Sequence, residues 1–332
     1  MTTRAGSALT SPRDDIGLFF EAIDLESIRR GYIGFQVAPV IESPFAFGKY
    51  SYRDVKSVLK KTDAKRTAEG GFNRISNQFS TGSFQVQQRG LEEQVDYFTA
   101  QSNIGLVDSE LVAAEATRHG VLEDHEMQVI DKINALTATT TLSTSTDKWS
   151  HDSSDPVDQF VTYIRNFRLK CGHRPTSLLI DQTVVDCLGK NPAVLEAAGH
   201  AGSNFADALR YNAGREVKKA AIAAALGIGE IIESGGIRNT ARDPLAASLA
   251  TTLTETDAVL FIRDMGPSTR NVQWLRTVHW SGNGSRVGCA FEQYEEPQTD
   301  STVIRHRMDS TIIEVNSEAV MLIDGVIDTS AL

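Results

Sequence analysis

Cysteine is scarce: Cys171, Cys187 and Cys289 are the only three in 332 residues, widely spaced and without a C-x-x-C pair. An odd, scattered set argues against a disulfide framework and fits packing or surface thiols in a reducing cytoplasm. No run approaches the roughly 18 consecutive apolar residues that a membrane-crossing helix needs, and the opening MTTRAGSALTSPRDD holds no apolar signal segment. The phosphate-cradling pattern G-x-x-x-x-G-K-[ST] is missing. Gly227-Ile228-Gly229 starts like a dinucleotide loop but has Ile232 where the third glycine belongs, and Gly282-Asn283-Gly284 fails at Val287. The seven histidines include no H-x-x-x-H pair and form no metal-like cluster with the cysteines. His173, His279 and His306 read as turn or strand residues in contact with water. Glu295 and Glu296 are consecutive and would point to opposite sides of a strand, so that spacing makes no glycosidase pair. The sequence therefore nominates no catalytic residue, no cofactor-binding residue and no metal ligand.

What is present is a segregated charge pattern. The chain carries a net −10 and is 41% apolar, an ordinary composition for a folded chain with one large or two modest cores. An acidic surface disfavours tight nonspecific nucleic-acid binding, yet suits a wall that encloses DNA without adhering to it. Between Lys49 and Arg89 the balance reverses to about +6, in a long polar excursion with strand-like ends and a Gly70-Gly71 tip. Such a segment cannot bury a core of its own and orders only against something else, of which another copy of the chain is the obvious candidate. From Leu91 to Asp131 the net is about −9, with Arg118 the only base.

Within the acidic stretch Asp108 is placed to cap a long helix reaching about Leu136. Leu111, Leu122, Val129, Ile130, Ile133 and Leu136 recur on it at helical spacing. Glu126 falls on or beside that apolar face, so it needs a hydrogen-bonded partner and reads as a structural carboxylate. Before it, residues 1 to 38 read as an arm with one amphipathic piece, IGLFFEAIDLESIRR. After it, a Thr- and Ser-rich stretch marks a change of domain, and Asp155-Pro156 opens a helix that Gly172 stops. PTSLLID and DAVLFIRD predict buried strands, TVVDCLGKNPAVLEAA a helix, and GREVKKAAIAAALGIGEIIES a helix, a stop at Gly227 and a strand. The tail alternates as strands in STVIRHRM and TIIEVN, with turns at Gly282 to Ser285 and at Asn316-Ser317.

Taken in order, PVIESPFAFGKY, KRTAEGGFNRI, FQVQQRGLEEQV, the long helix with Glu126, Trp149 before Asp155-Pro156, CGHRPTSLLIDQTVVDCLGKNPAVLEAA, AAALGIGEIIESGG and DSTIIEVNSEAVMLIDGVI resemble a tailed-phage major capsid protein with the Hong Kong 97-type shell fold. The resemblance covers roughly residues 35 to 328. It implies an α+β subunit: an N-terminal arm (1–44), an extended β-hairpin loop (45–98), a peripheral domain (99–154) with a spine helix (108–136), an axial α/β domain (155–285), and peripheral return strands with the C-terminus (286–332).

The resemblance also implies a non-catalytic head-shell protein whose hexamers and pentamers close an icosahedral shell around double-stranded DNA, bound without sequence specificity. Implied partners are further copies of the chain, a separate scaffolding protein, a portal protein, and decoration or cement proteins. No membrane is involved, and the implied location is the virion after assembly in the bacterial host cytoplasm. Candidate contacts with a neighbour are Lys60, Lys61, Lys65, Arg66, Phe72, Arg74, Ile75, Phe79, Phe84 and Arg89. Candidate acidic acceptors are Glu92, Glu93, Asp96, Glu115, Glu123 and Asp124. Some family members crosslink lysine to asparagine in this loop, but nothing here singles out a partner asparagine. An encapsulin-like nanocompartment shell is the nearer alternative, and an α/β enzyme the more distant one.

Overall fold

The computed structural model describes residues 31–53, 61, 64, 65, 70, 79–102, 108–201, 207, 209, 214–240, 248–266, 271–282 and 289–328. The amphipathic piece of the arm and the Gly71 side of the loop tip lie outside them. In chain order the described elements begin with α1 (Gly34–Val37), β1 (Val40–Ser43), β2 (Phe47–Arg53), β3 (Phe79–Gln85), β4 (Gln87–Asp96), α2 (Tyr97–Ser102) and α3 (Ser109–Asn134). Next come β5 (Thr140–Thr141), α4 (Pro156–Cys171), β6 (Ser177–Asp181), α5 (Gln182–Lys190), α6 (Pro192–Ala201) and α7 (Arg215–Leu226). The series closes with β7 (Glu230–Ser234), β8 (Ile237–Asn239), β9 (Leu249–Thr251), β10 (Ala258–Phe261), β11 (Leu275–Trp280), β12 (Ala290–Glu296), β13 (Ser301–Glu314) and β14 (Val320–Asp324).

Two five-stranded sheets hold most of these strands, and β2–β3 and β8–β9 form two-stranded ribbons. In the first, β13 is the axis: β4 pairs with it along one side, β11 and β12 pair with it antiparallel, and β1 joins β11 in parallel. STVIRHRM and TIIEVN, expected as separate strands, are one strand of 14 residues. Asp309 and Ser310 between them do not turn, because both sit in the ladder opposite Gln88 and Gln87, and both are buried. The second sheet has the order β5–β14–β10–β6–β7, and β6 and β10 at its centre are buried throughout. A boundary between 285 and 286 does not follow these sheets. β11, before it, belongs to the first sheet, and β14, after it, to the second.

Local sequence explains where the helices start and stop. The Asp108 carboxylate accepts from Leu111 N at 3.3 Å and opens α3, and that of Asp155 accepts from Asp158 N at 3.1 Å ahead of Pro156 in α4. Gly172 (φ 78°) and Gly227 (φ 70°) end α4 and α7 in the left-handed region that glycine tolerates. The single helix expected over TVVDCLGKNPAVLEAA is two, α5 and α6, broken at Asn191. Pro192 forces the break, and the buried Asn191 side chain stabilises it by accepting from Ala193 N (3.0 Å) and donating to Ser154 Oγ (3.0 Å).

The main core lies around the second sheet and reaches the first at Leu275, while Val95, Ala113, Ala114 and Ile304 form a separate cluster between the first sheet and α3. Trp149, fully buried, packs tilted against Phe160 at 5.2 Å between centroids and donates its indole N–H to Gln159 Oε1 at 2.8 Å. Val129, Ile130 and Ile133 carry the lower half of α3 into the main core, alongside Ile33 and Val37 of the arm root.

Candidate assembly interface

The extended loop emerges from the first sheet as a two-stranded ribbon in which β2 and β3 pair from Phe47↔Gln85 to Arg53↔Phe79. The strand period divides its side chains between two faces. One face carries Tyr50, Tyr52 and Phe84, which pack with Val86 on Val278, Ile313 and Val315 of the sheet and its margin. Two glycines make that packing possible. Gly82 lies opposite Tyr50 and Gly48 opposite Phe84; a side chain at Gly82 would overlap the Tyr50 ring, and a Cβ at Gly48 would press on Phe84 at 3.0 Å. The Tyr50 hydroxyl donates to Glu314 O at 2.8 Å, and burial raises its pKa. The other face is exposed and bears Phe47 (77% exposed), Lys49 and Phe79 (53%). Just before the ribbon, Phe45 is exposed as well.

The nominated contact residues therefore separate. Lys60, Arg66, Phe72, Arg74 and Ile75 lie outside the described residues. Lys61, Lys65 and Phe79 are exposed. Phe84, expected to anchor on a neighbour, is turned onto its own sheet, because its parity along β3 matches that of Gly82 rather than Phe79. Arg89 bonds Asp124 on α3 through Nη1 at 3.1 Å, so one nominated base and one nominated acid meet within a single chain. Cross-strand register makes a similar pair of Glu92 and Arg305 at 2.8 Å; hydrogen bonding to Arg305 is the main cause of the lowered Glu92 pKa. Glu115 faces His119 one turn on at 4.0 Å. Glu93 and Glu123 are exposed, and exposed Asp96 caps α2 by accepting from Thr99 N at 2.9 Å.

Glu126 lies at 1% exposure on the buried face of α3. Its carboxylate accepts from Ile33 N at 3.0 and 3.1 Å and from Gly34 N at 2.5 Å, which ties the root of the arm to the helix. Burial pushes its pKa up to about 7 against the opposing pull of those amides. Beside it, His125 stacks on Phe35 (4.2 Å, 12°) and meets Thr277 Oγ1 at 3.1 Å, while Thr277 donates to Ala38 O at 2.9 Å. A Cβ at Gly34 would sit 2.8 Å from His125 Nδ1 and 2.9 Å from Glu126 Oε2, so this close approach requires glycine.

Two histidines depart from the expectation of water contact: His279 and His306 are buried in the first sheet. His306 sits against α3, its Nδ1 2.8 Å from Thr117 Oγ1, and burial lowers its pKa to about 3. Their strand alternation gave no warning, since a polar residue at an inward position reads as a surface position until its partner on another element is known.

Two exposed aromatics lie outside the nominated contacts. α2 buries none of its six residues, yet presents Tyr97 and Phe98 (80% exposed) directly after the acidic end of β4. Among the described residues no group of three or more His, Cys, Asp and Glu is arranged to hold a metal, and no helix is long and apolar enough to cross a membrane. A cavity of about 610 Å³ beside β7 is bordered by Glu233 and by Arg215 and Lys219, which both pair with it.

No family model matches the chain, and no curated protein matches it. Solved structures do. A phage-related protein from Bordetella bronchiseptica RB50 aligns over 92% of this chain and 97% of its own, with a TM-score of 0.61 at 15% identity. The capsid structure of cyanophage P-SCSP1u aligns over 99% of this chain and 93% of its own, with a TM-score of 0.55 at 12% identity. The SrpI encapsulin of Synechococcus elongatus PCC 7942 aligns over 96% and 98%, with a TM-score of 0.50 at 8% identity. With its spine helix, two-stranded ribbon and two five-stranded sheets, the chain has the Hong Kong 97-type fold of tailed-phage major capsid proteins.

Proposed function

We propose that this chain is a major capsid protein, a structural and non-catalytic subunit that closes an icosahedral head shell of hexamers and pentamers around double-stranded DNA. The observation that carries this reading is the ribbon: the outward face of this hairpin, with Phe47, Lys49 and Phe79, has nothing in its own chain to cover it among the described residues. Exposed aromatics on a projecting element mark a contact surface, and a second copy supplies its cover. The net +6 of the loop and the exposed acids around β4 supply complementary charge for registration. Individual exposed pairs contribute only about 0–1 kcal/mol, so their effect lies in repetition over many copies. Scaffolding, portal and decoration proteins complete the proposed set of partners, and the virion is the proposed location.

Negative-stain electron microscopy of the chain expressed alone and with its neighbouring gene products tests this. Closed particles or capsomers are expected, and a stable monomer under both conditions would sink the reading. The encapsulin alternative draws on the near-full-length alignment with the Synechococcus shell. Particles that purify with an enzyme cargo and no DNA would favour it.

A further inference from the structure

The loop of net +6 is not the chain's only base-rich stretch. From Gln159 to Ile180, QFVTYIRNFRLKCGHRPTSLLI, 22 residues hold Arg165, Arg168, Lys170 and Arg174 and no carboxylate, in a chain of net −10. Helix α4 carries most of this stretch and divides it between two sides. Phe160, Tyr163, Phe167 and Cys171 lock one side into the core, and Lys170 bends back to donate to Val320 O at 2.8 Å. The opposite side is exposed and presents Thr162, Arg165, Asn166 and Arg168, with Arg174 exposed just past the Gly172 stop. Residues three and four apart are neighbours on a helix, so the four on α4 form one continuous patch.

Elsewhere the arginines of this fold are neutralised. Arg89, Arg215, Arg263, Arg305 and Arg307 each meet a carboxylate, whereas among the described residues Arg165, Arg168 and Arg174 meet none. Guanidinium groups flanked by a hydroxyl and an amide are the donor set that grips phosphate oxygens along a nucleic-acid backbone without reading its sequence. Three of them, spread from the middle of α4 to beyond its end, suit a run of phosphates better than a single small anion. We propose that this face of α4 binds the phosphate backbone of the enclosed double-stranded DNA. The proposal rests on the shell-forming reading above and assigns its DNA contact to named side chains. Three contacts in one copy are weak, and many copies facing one long duplex make them effective. The acidic remainder of the chain keeps DNA from adhering elsewhere. Val161 and Leu169, exposed on the same side, are what a protein partner would use instead.

The test mixes the purified full chain, before particles form, with a fluorescently labelled duplex of about 20 base pairs and follows its anisotropy as salt rises. Replacing Arg165, Arg168 and Arg174 together by Gln should flatten the plot of log K against log salt by about 2.7, at about 0.9 per phosphate contact. The corresponding triple Lys variant should keep the slope, and Leu169→Ser should leave both slope and affinity unchanged. Electron microscopy of the same variants should show particles in the yield of the unmodified chain. A triple Gln variant that binds the duplex with the original salt slope would overturn the DNA contact while the shell-forming reading stands. Particle yield that collapses in the triple Gln variant or in Leu169→Ser would assign this face to contact between proteins and overturn it as well. If the unmodified chain forms no particles at all, the shell-forming reading falls and the enclosed DNA with it.

Discussion

Burial moves the pKa of several single residues in this fold toward the neutral form. Asp257 has a pKa raised to about 6, first by burial and then by Asp324, which faces it one step beyond the β10–β14 ladder. Glu126 is raised to about 7 by burial. Both values exceed those of the unfolded chain, so the stability these carboxyls contribute is complete below about pH 4 and is lost as pH rises through about 6 and 7. His125 and His306 run the other way: burial lowers them to about 4 and about 3, so their contribution is complete above about 6.5 and is lost as pH falls. The two sets offset each other in mildly acidic solution. Replacing Asp257 by Asn removes one of the first set, so the variant should gain stability relative to the unmodified chain as pH rises from 4 to 7; denaturation curves that stay parallel across that range would refute it. Glu126→Ala leaves the amides of Ile33 and Gly34 without their acceptor and should cost about 2–4 kcal/mol in chemical denaturation.

Among the elements, the ribbon is the most informative, because its two faces make opposite predictions for chemically similar changes. Phe79→Ala removes an exposed ring and should leave monomer stability within about 0.5 kcal/mol while lowering particle yield. Phe84→Ala opens a gap under the ribbon and should lower the unfolding free energy by about 1–3 kcal/mol whether or not particles form. Equal effects of the two changes on stability would mean that the faces are misassigned. Gly82→Val should drive the Tyr50 ring off the sheet, and hydrogen exchange would then speed up at Tyr50 and Tyr52 but not in α3. Element boundaries set by caps, such as Asp108, Asp155, Gly172 and Gly227, were legible in the sequence because each acts within one helical turn. The break at Asn191 and the continuity of β13 were less so. The first depends on a side chain reaching Ser154, and the second on Asp309 and Ser310 finding ladder partners remote in sequence.

For the whole molecule the relevant property is segregated charge. A loop of about +6 beside a segment of about −9 favours association while each pair remains weak, so the rate of particle formation should fall steeply as salt shortens the Debye length from about 10 Å at 0.1 M to about 3 Å at 1 M. Light scattering that follows assembly at increasing salt checks this, and an unchanged rate would assign association to the aromatics alone. The order of segments along the chain carried the fold class and the long helix capped at Asp108, both of which are local patterns. Only the tertiary structure decided how the charges are divided. It pairs Arg89 with Asp124 and Glu92 with Arg305 inside one subunit, and turns Phe84 inward and Phe79 outward. Those outcomes depend on strand register and on which elements meet across long sequence separations, and a contact between distant residues leaves no periodic trace in either of the segments that make it.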